Sequence, residues 1–192
     1  MKNGYARSPA PHSVEHAKFT EIYTRYGRLI QAYCARRTSP SQVADAVAEV
    51  FLVAWRRLDQ MPDVDEALPW LYGTAYRVIS HQWRSKTRTR RLVQRLLDVD
   101  VTETWTTEGI VIHRHEHDQV RLAASRLKPM DQEILRLTIW EELSHAEVGV
   151  VLSIDPGAVK QRAYRARQHL TNEYNKLTQE RKPPAAQKGG AS

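Results

Sequence analysis

Between Pro156 and Thr171 the chain carries Lys160, Arg162, Arg165 and Arg167 and no acidic residue. Guanidinium and ammonium groups at that density bind phosphate, and the polar side chains among them, Gln161 and Tyr164, can hydrogen-bond base edges. A second basic run, "RSKTRTRR", puts five cations into residues 84–91. With Arg77 and His81 upstream, Arg84 and Arg88 repeat at helical spacing, and Lys86 lies within the run. The chemistry implied is noncovalent recognition of a polyanion. No Gly-rich phosphate loop, nucleophile motif or clustered carboxylate pair points to catalysis. In "HRHEH", His113, His115 and His117 alternate, but neither a Cys nor an H-E-x-x-H helix accompanies them, so no metal or cofactor is assigned.

The first basic run must be positioned by a helix with two faces. Val159, Ala163, Ala166 and Leu170 fall at inward spacing and leave Gly157, Lys160, Gln161, Tyr164 and Arg165 outward. Asp155 can cap this helix, with Pro156 at its first position, where a missing N–H costs nothing. The preceding segment, Leu143 to Leu152, opens with a capping box, Ser144 and Glu147, and with Leu143 and Val148 at the staple positions. Only Ser153, Ile154 and Asp155 separate the two, which is the spacing of a helix-turn-helix. The start of the second helix would enter the major groove, with Lys160, Gln161, Tyr164 and Arg165 at base edges and Arg162 and Arg167 at phosphates.

Upstream, helical stripes run through Phe19, Ile22, Tyr23, Tyr26, Leu29, Ile30 and Tyr33, then Val43 to Leu58, then Leu68 to Trp83. Trp70 and Trp83 fall at or beside the last stripe and are expected in the core. Opposite the second stripe, Asp45, Glu49, Leu52 and Arg56 form a mixed acidic and apolar face suited to a basic helical partner. From Leu92 to His117 periodicity fails, and residues 91–118 hold three Arg against six acids. Helical spacing returns at Val120, Ala123, Ala124 and Leu127. The expectation is all-α: a disordered tail over 1–14, a helical domain over 15–91, a flexible acidic linker over 92–117, a second helical domain over 118–177 and a tail over 178–192.

A net charge of +7 over 192 residues favours a polyanionic partner. One cysteine, Cys34, excludes an internal disulfide and fits a reduced cytoplasmic setting. No apolar run approaches the roughly 20 residues of a membrane span, so no membrane insertion is expected.

Residues 17–177 resemble a bacterial RNA polymerase sigma factor of the extracytoplasmic function group, the small type that keeps regions 2 and 4. In region 4, "SRLKPMDQEILRLTIWEELSHAEVGVVLSIDPGAVKQRAYRARQHL" matches a family pattern of L-P-x-x-x-R-E, then L-S-x-x-E-I-A, then G-T-V-K-S-R and R-A-R. In region 2, "ADAVAEVFLVAWRRL" matches A-E-D-L-V-Q-E-V-F-L-x-A-W-R, and "LPWLYGTAYRVISHQWRSKTRTRR" matches W-L-x-x-I-A-R-N with its basic continuation. Ala46 and Ala48 stand where the family often has Leu and Gln, and Tyr76-Arg77 replaces the common Arg-Asn.

The resemblance implies a transcription initiation factor without enzymatic activity. Its partners would be core RNA polymerase, through the clamp helices of the largest catalytic subunit against Asp45, Glu49, Leu52 and Arg56, and promoter DNA. The −10 element would meet Arg77, His81, Arg84, Lys86 and Arg88 together with the loop Asp59 to Ala67, the −35 element would meet the helix-turn-helix, and the linker would thread into the polymerase. Many proteins of this type are held inactive by an anti-sigma factor, which becomes a further candidate partner. The rival reading is a stand-alone helix-turn-helix regulator that binds palindromic duplex as a dimer.

Overall fold

The structure is a computed structural model that describes residues 11–97 and 115–180, with side chains described for 14–85 and 119–179. Seven α-helices follow one another there: α1 (Pro11–Ala35), α2 (Val43–Arg56), α3 (Ala67–Leu97), α4 (His115–Ser125), α5 (Pro129–Ile139), α6 (His145–Leu152) and α7 (Pro156–Glu180). Among the described residues no strand occurs, so the all-α expectation holds. Helix α1 begins within the stretch read as a tail, α3 runs past Arg91 to Leu97, and α4 starts at His115. Most of the expected linker, His113 with it, and most of both tails lie outside the described residues.

The chain divides into two compact units, residues 1–110 with 149–154, and residues 111–148 with 155–192. In the first, α1, α2 and α3 pack on one another pairwise. Ile22, Ile30, Val50, Leu71 and Ala75 are fully buried between them, and burial of one such aliphatic side chain contributes about 1.5–3 kcal/mol. The Tyr33 and Tyr72 rings meet at 5.0 Å between centroids, tilted by 34°, with the Arg37 guanidinium 3.6 Å over the Tyr33 ring. Cys34 lies beside them, fully buried, and burial pushes its thiol up to about 11, opposed by the nearby Arg37 cation.

Periodicity names the inward face but not the length over which it is covered. Tyr23, Leu29 and Val120, all on sequence stripes, are exposed. Trp83 is 37% exposed, which overturns its placement in the core; it sits at the far end of its stripe, where the helix has begun to turn its cations outward. Trp70 is half-buried.

In the second unit, α7 packs against α4 and α5, with Leu127, Leu135 and Ala166 buried together and Leu170 packed on them. Two polar side chains of α5 are buried with their bonds made. Gln132 Nε2 donates to the Leu127 carbonyl at 2.8 Å, closing the end of α4, while its Oε1 accepts from Arg136 at 3.2 Å. Glu133 pairs with Arg136 at 3.7 Å. At the surface Glu173 receives Lys176 and Arg126, which together hold its carboxyl below the usual carboxylate range.

The turn after α6 places Ser153 at φ 56°, the left-handed region that disfavours a Cβ. There it completes a Schellman closure, the Ile154 amide donating to the Gly149 carbonyl at 3.0 Å. Ser153→Gly should therefore raise the unfolding free energy by about 0.5–1 kcal/mol, and Ser153→Val should lower it. Urea denaturation of the two variants checks the pair; a destabilised glycine variant would contradict the turn geometry.

Candidate nucleic-acid interface

The helix-turn-helix forms as the local sequence dictates. Ser144 and Glu147 close the capping box in both directions: the Ser144 amide donates to Glu147 Oε2 at 2.7 Å, and the Glu147 amide donates to Ser144 Oγ at 3.3 Å. Leu143 and Val148, at the staple positions, are both buried. Asp155 Oδ1 accepts from the Ala158 amide at 3.0 Å and caps α7. A Cβ on Gly157 would stand 2.9 Å from that same oxygen, so a larger residue there would push the capping carboxylate aside.

Along α7, Val159, Ala163 and Ala166 are fully buried. That orientation turns Lys160, Gln161, Arg162, Tyr164, Arg165 and Arg167 outward, all exposed. Tyr164 is 62% exposed, and its hydroxyl accepts from Gln168 Nε2 at 2.7 Å. Gln168 is not among the residues that the sequence pattern singles out, although its place four residues after Tyr164 is the signal for such a pair.

On α3, Arg77, His81 and Arg84 are exposed on one side, behind a buried face of Leu71, Tyr72, Ala75, Val78 and Ile79. Arg77 Nη2 donates to Thr74 Oγ1 at 3.2 Å. Lys86 and Arg88 lie within α3, and their side chains are outside the described set. On α2, Asp45, Glu49 and Arg56 are exposed beside Leu52, which is 47% exposed. Of the two alanines there, Ala46 is fully buried and Ala48 exposed, so Ala46 presents no side chain outward.

The α2 and α3 groups adjoin, because Gln82 Nε2 donates to Glu49 Oε2 at 3.0 Å. Gln82 follows His81 directly, and no local pattern announces a partner 33 residues away. The loop between α2 and α3 is acidic on its outside: Asp59, Asp63, Asp65 and Glu66 are exposed, with no cation from 58 to 67. Among the described residues no group of His, Cys, Asp and Glu could hold a metal ion, and no helix is long and apolar enough to cross a membrane.

Comparison with known families places this geometry. The family description "Sigma-70 region 2" matches residues 22–89, and "Sigma-70, region 4" matches residues 117–170. The chain belongs to the sigma-70 family of transcription initiation factors, in its extracytoplasmic function group. It is similar to the RNA polymerase sigma factor NccH of Alcaligenes xylosoxydans xylosoxydans, 29% identical over 161 residues that cover 80% of this chain and 84% of that one. The ECF RNA polymerase sigma-E factor of Escherichia coli K12 is 24% identical over 169 residues, covering 83% and 87%. Among solved structures, the fold is similar to the sigma factor RpoE in complex with the anti-sigma factor NepR from Bartonella quintana, with TM-score 0.59, 18% identity, and 82% and 96% of the two chains covered. It is also similar to CnrH in complex with the cytosolic domain of CnrY, with TM-score 0.54, 22% identity, and 85% and 89% covered.

Helix α7, which begins inside the match to sigma region 4, thus starts on one side-chain cap. Asp155→Ala should cost about 1 kcal/mol of stability, and Asp155→Asn should retain most of it. Gly157→Ala displaces the same oxygen, so the double variant Asp155→Ala/Gly157→Ala should lose less than the sum of the singles. Chemical denaturation of the four proteins tests this; strictly additive losses would contradict a shared cap.

Proposed function

We propose that this sigma factor docks on core RNA polymerase through the outer face of α2, reads the −35 element with α7 and holds the opened −10 element with α3 and the loop before it. The observation that carries the reading is the division of exposed charge among three helices. Two carry outward cations, while α2 carries two carboxylates beside an exposed leucine. A surface of the last kind repels DNA and suits a basic, amphipathic protein helix, the chemistry of the clamp helices of the largest catalytic subunit.

In this assignment Asp45, Glu49, Leu52 and Arg56 meet the polymerase, with Gln82 holding the Glu49 carboxylate toward α3. Lys160, Gln161, Tyr164 and Arg165 meet base edges of the −35 duplex, while Arg162 and Arg167 meet its phosphates. Arg77, His81, Arg84, Lys86 and Arg88 take phosphates of the separated non-template strand.

No bond is made or broken by the protein. Separating duplex DNA costs on the order of 1.4 kcal/mol per base-pair step. Binding of the separated strand offsets that cost, and docking on polymerase converts two weak DNA contacts into one assembly with high effective concentration. Acting on polymerase, the protein works in the cytoplasm. The similar solved structures hold anti-sigma factors, which supports an anti-sigma factor as a partner that would compete for these surfaces. The region 2 match weighs against a self-sufficient regulator, because a sensor domain has no need of the basic side of α3.

Charge reversal at Asp45→Lys/Glu49→Lys should weaken binding to core polymerase at least about tenfold. Binding of the full chain to an isolated −35 duplex should stay within about twofold. Titration of labelled protein with core enzyme, and separately with duplex, reads both quantities; unchanged core affinity would overturn the assignment of α2.

A further inference from the structure

The loop that leads from α2 into α3 packs inward through Leu58 and Met61, both buried. Its outer rim is made of carboxylates. Such a rim cannot grip phosphates, and a strand drawn onto the basic side of α3 repels it. A loop of this charge can contact the strand only if something other than the strand holds it in place. Helix α1 supplies that hold from about forty residues upstream. Tyr26, 5% exposed, donates its hydroxyl to the Val64 carbonyl at 2.8 Å. Arg25, next to it, donates to Asp65 Oδ1, and its guanidinium carbon lies 5.4 Å from the Tyr26 ring centroid. Lys18 Nζ reaches the Met61 carbonyl at 3.4 Å.

We infer that Tyr26 and Arg25 are positioning residues for −10 recognition: they touch no DNA, but clamp the acidic loop against the repulsion of the strand it inspects. The inference rests on the assignment of that loop to the −10 element. Tyr26 provides the stronger hold, because its hydroxyl sits on a half-buried carbonyl whose position sets the backbone of the loop. Arg25 and Asp65 are both largely exposed, and such a pair contributes little to stability by itself. Its value here is to remove one negative charge from the rim. The variants should therefore fold and dock normally while misreading the promoter.

The test uses core polymerase assembled with the full chain. The probe is a single-stranded oligonucleotide carrying the non-template −10 segment of a promoter that this holoenzyme transcribes, alongside copies substituted at each position. Tyr26→Phe, which keeps the ring, should lower the ratio of cognate to substituted affinity about fivefold, the factor of one net hydrogen bond. Arg25→Gln should lower it about twofold, and Arg25→Lys should restore it. Both defects should widen as salt is lowered, because repulsion is then unscreened. Affinity for core enzyme should stay within about twofold. The loop variant Asp59→Ser/Gln60→Ser/Asp63→Ser is the control. If it loses discrimination while Tyr26→Phe/Arg25→Gln keeps it, the clamp is refuted and the loop assignment stands. If the loop variant discriminates as well as the native chain, the loop assignment fails and takes the clamp with it. If core affinity falls as far as discrimination, or the defects ignore salt, the two residues are general stabilisers and the inference is overturned.

Discussion

Everything the outer surfaces offer depends on how each helix is rotated about its own axis, and buried small residues fix that rotation. Ala46 and Ala54 in α2, Ala75 in α3, and Ala163 and Ala166 in α7 have no exposed surface. Alanine lets a neighbouring element approach closely, and close approach penalises any other angle. A residue advances about 100° around a helix, so a one-residue error in α7 would turn Lys160 or Arg167 inward. Burying one unpaired cation costs several kcal/mol, more than the repacked side chains around it could return. The packed side therefore determines the exposed one, and the charge pattern of the surface is a consequence of the core.

That surface also explains why such a protein needs a larger assembly. Exposed cations bind DNA of any sequence, with an affinity that falls steeply as salt rises. In the proposed assembly on polymerase, two modest preferences would act jointly, and their required spacing would add specificity that neither module holds. Under the proposed assignment, the carboxylates of α2 would serve the same end by keeping the docking face off the DNA.

Much of this was legible in the sequence, for local reasons. Ser144 with Glu147, and Asp155 with Pro156, are start signals that operate within one turn of helix, and both formed as their spacing implied. The inward set Val159, Ala163 and Ala166 needed only the helical period. Long-range pairings were not legible. Gln82 meets Glu49 across 33 positions, and Tyr26 meets Val64 across 38, and no periodicity encodes either. The end of α3 was hidden for another reason: "RLVQRLL" suits a helix, while the acids that suggested a linker begin only at Asp98. Trp83 escaped because a stripe specifies a direction and not the extent of its cover.

The central claim is that the two basic helices act through polymerase. Mapping the 5′ ends of transcripts made in vitro by core RNA polymerase on genomic DNA, with and without this protein, tests it most directly. The account predicts a new set of start sites that appears only with the protein, preceded by two short sequence elements at fixed spacing. An unchanged set of start sites, together with protection of a symmetric operator by the protein alone, would contradict it.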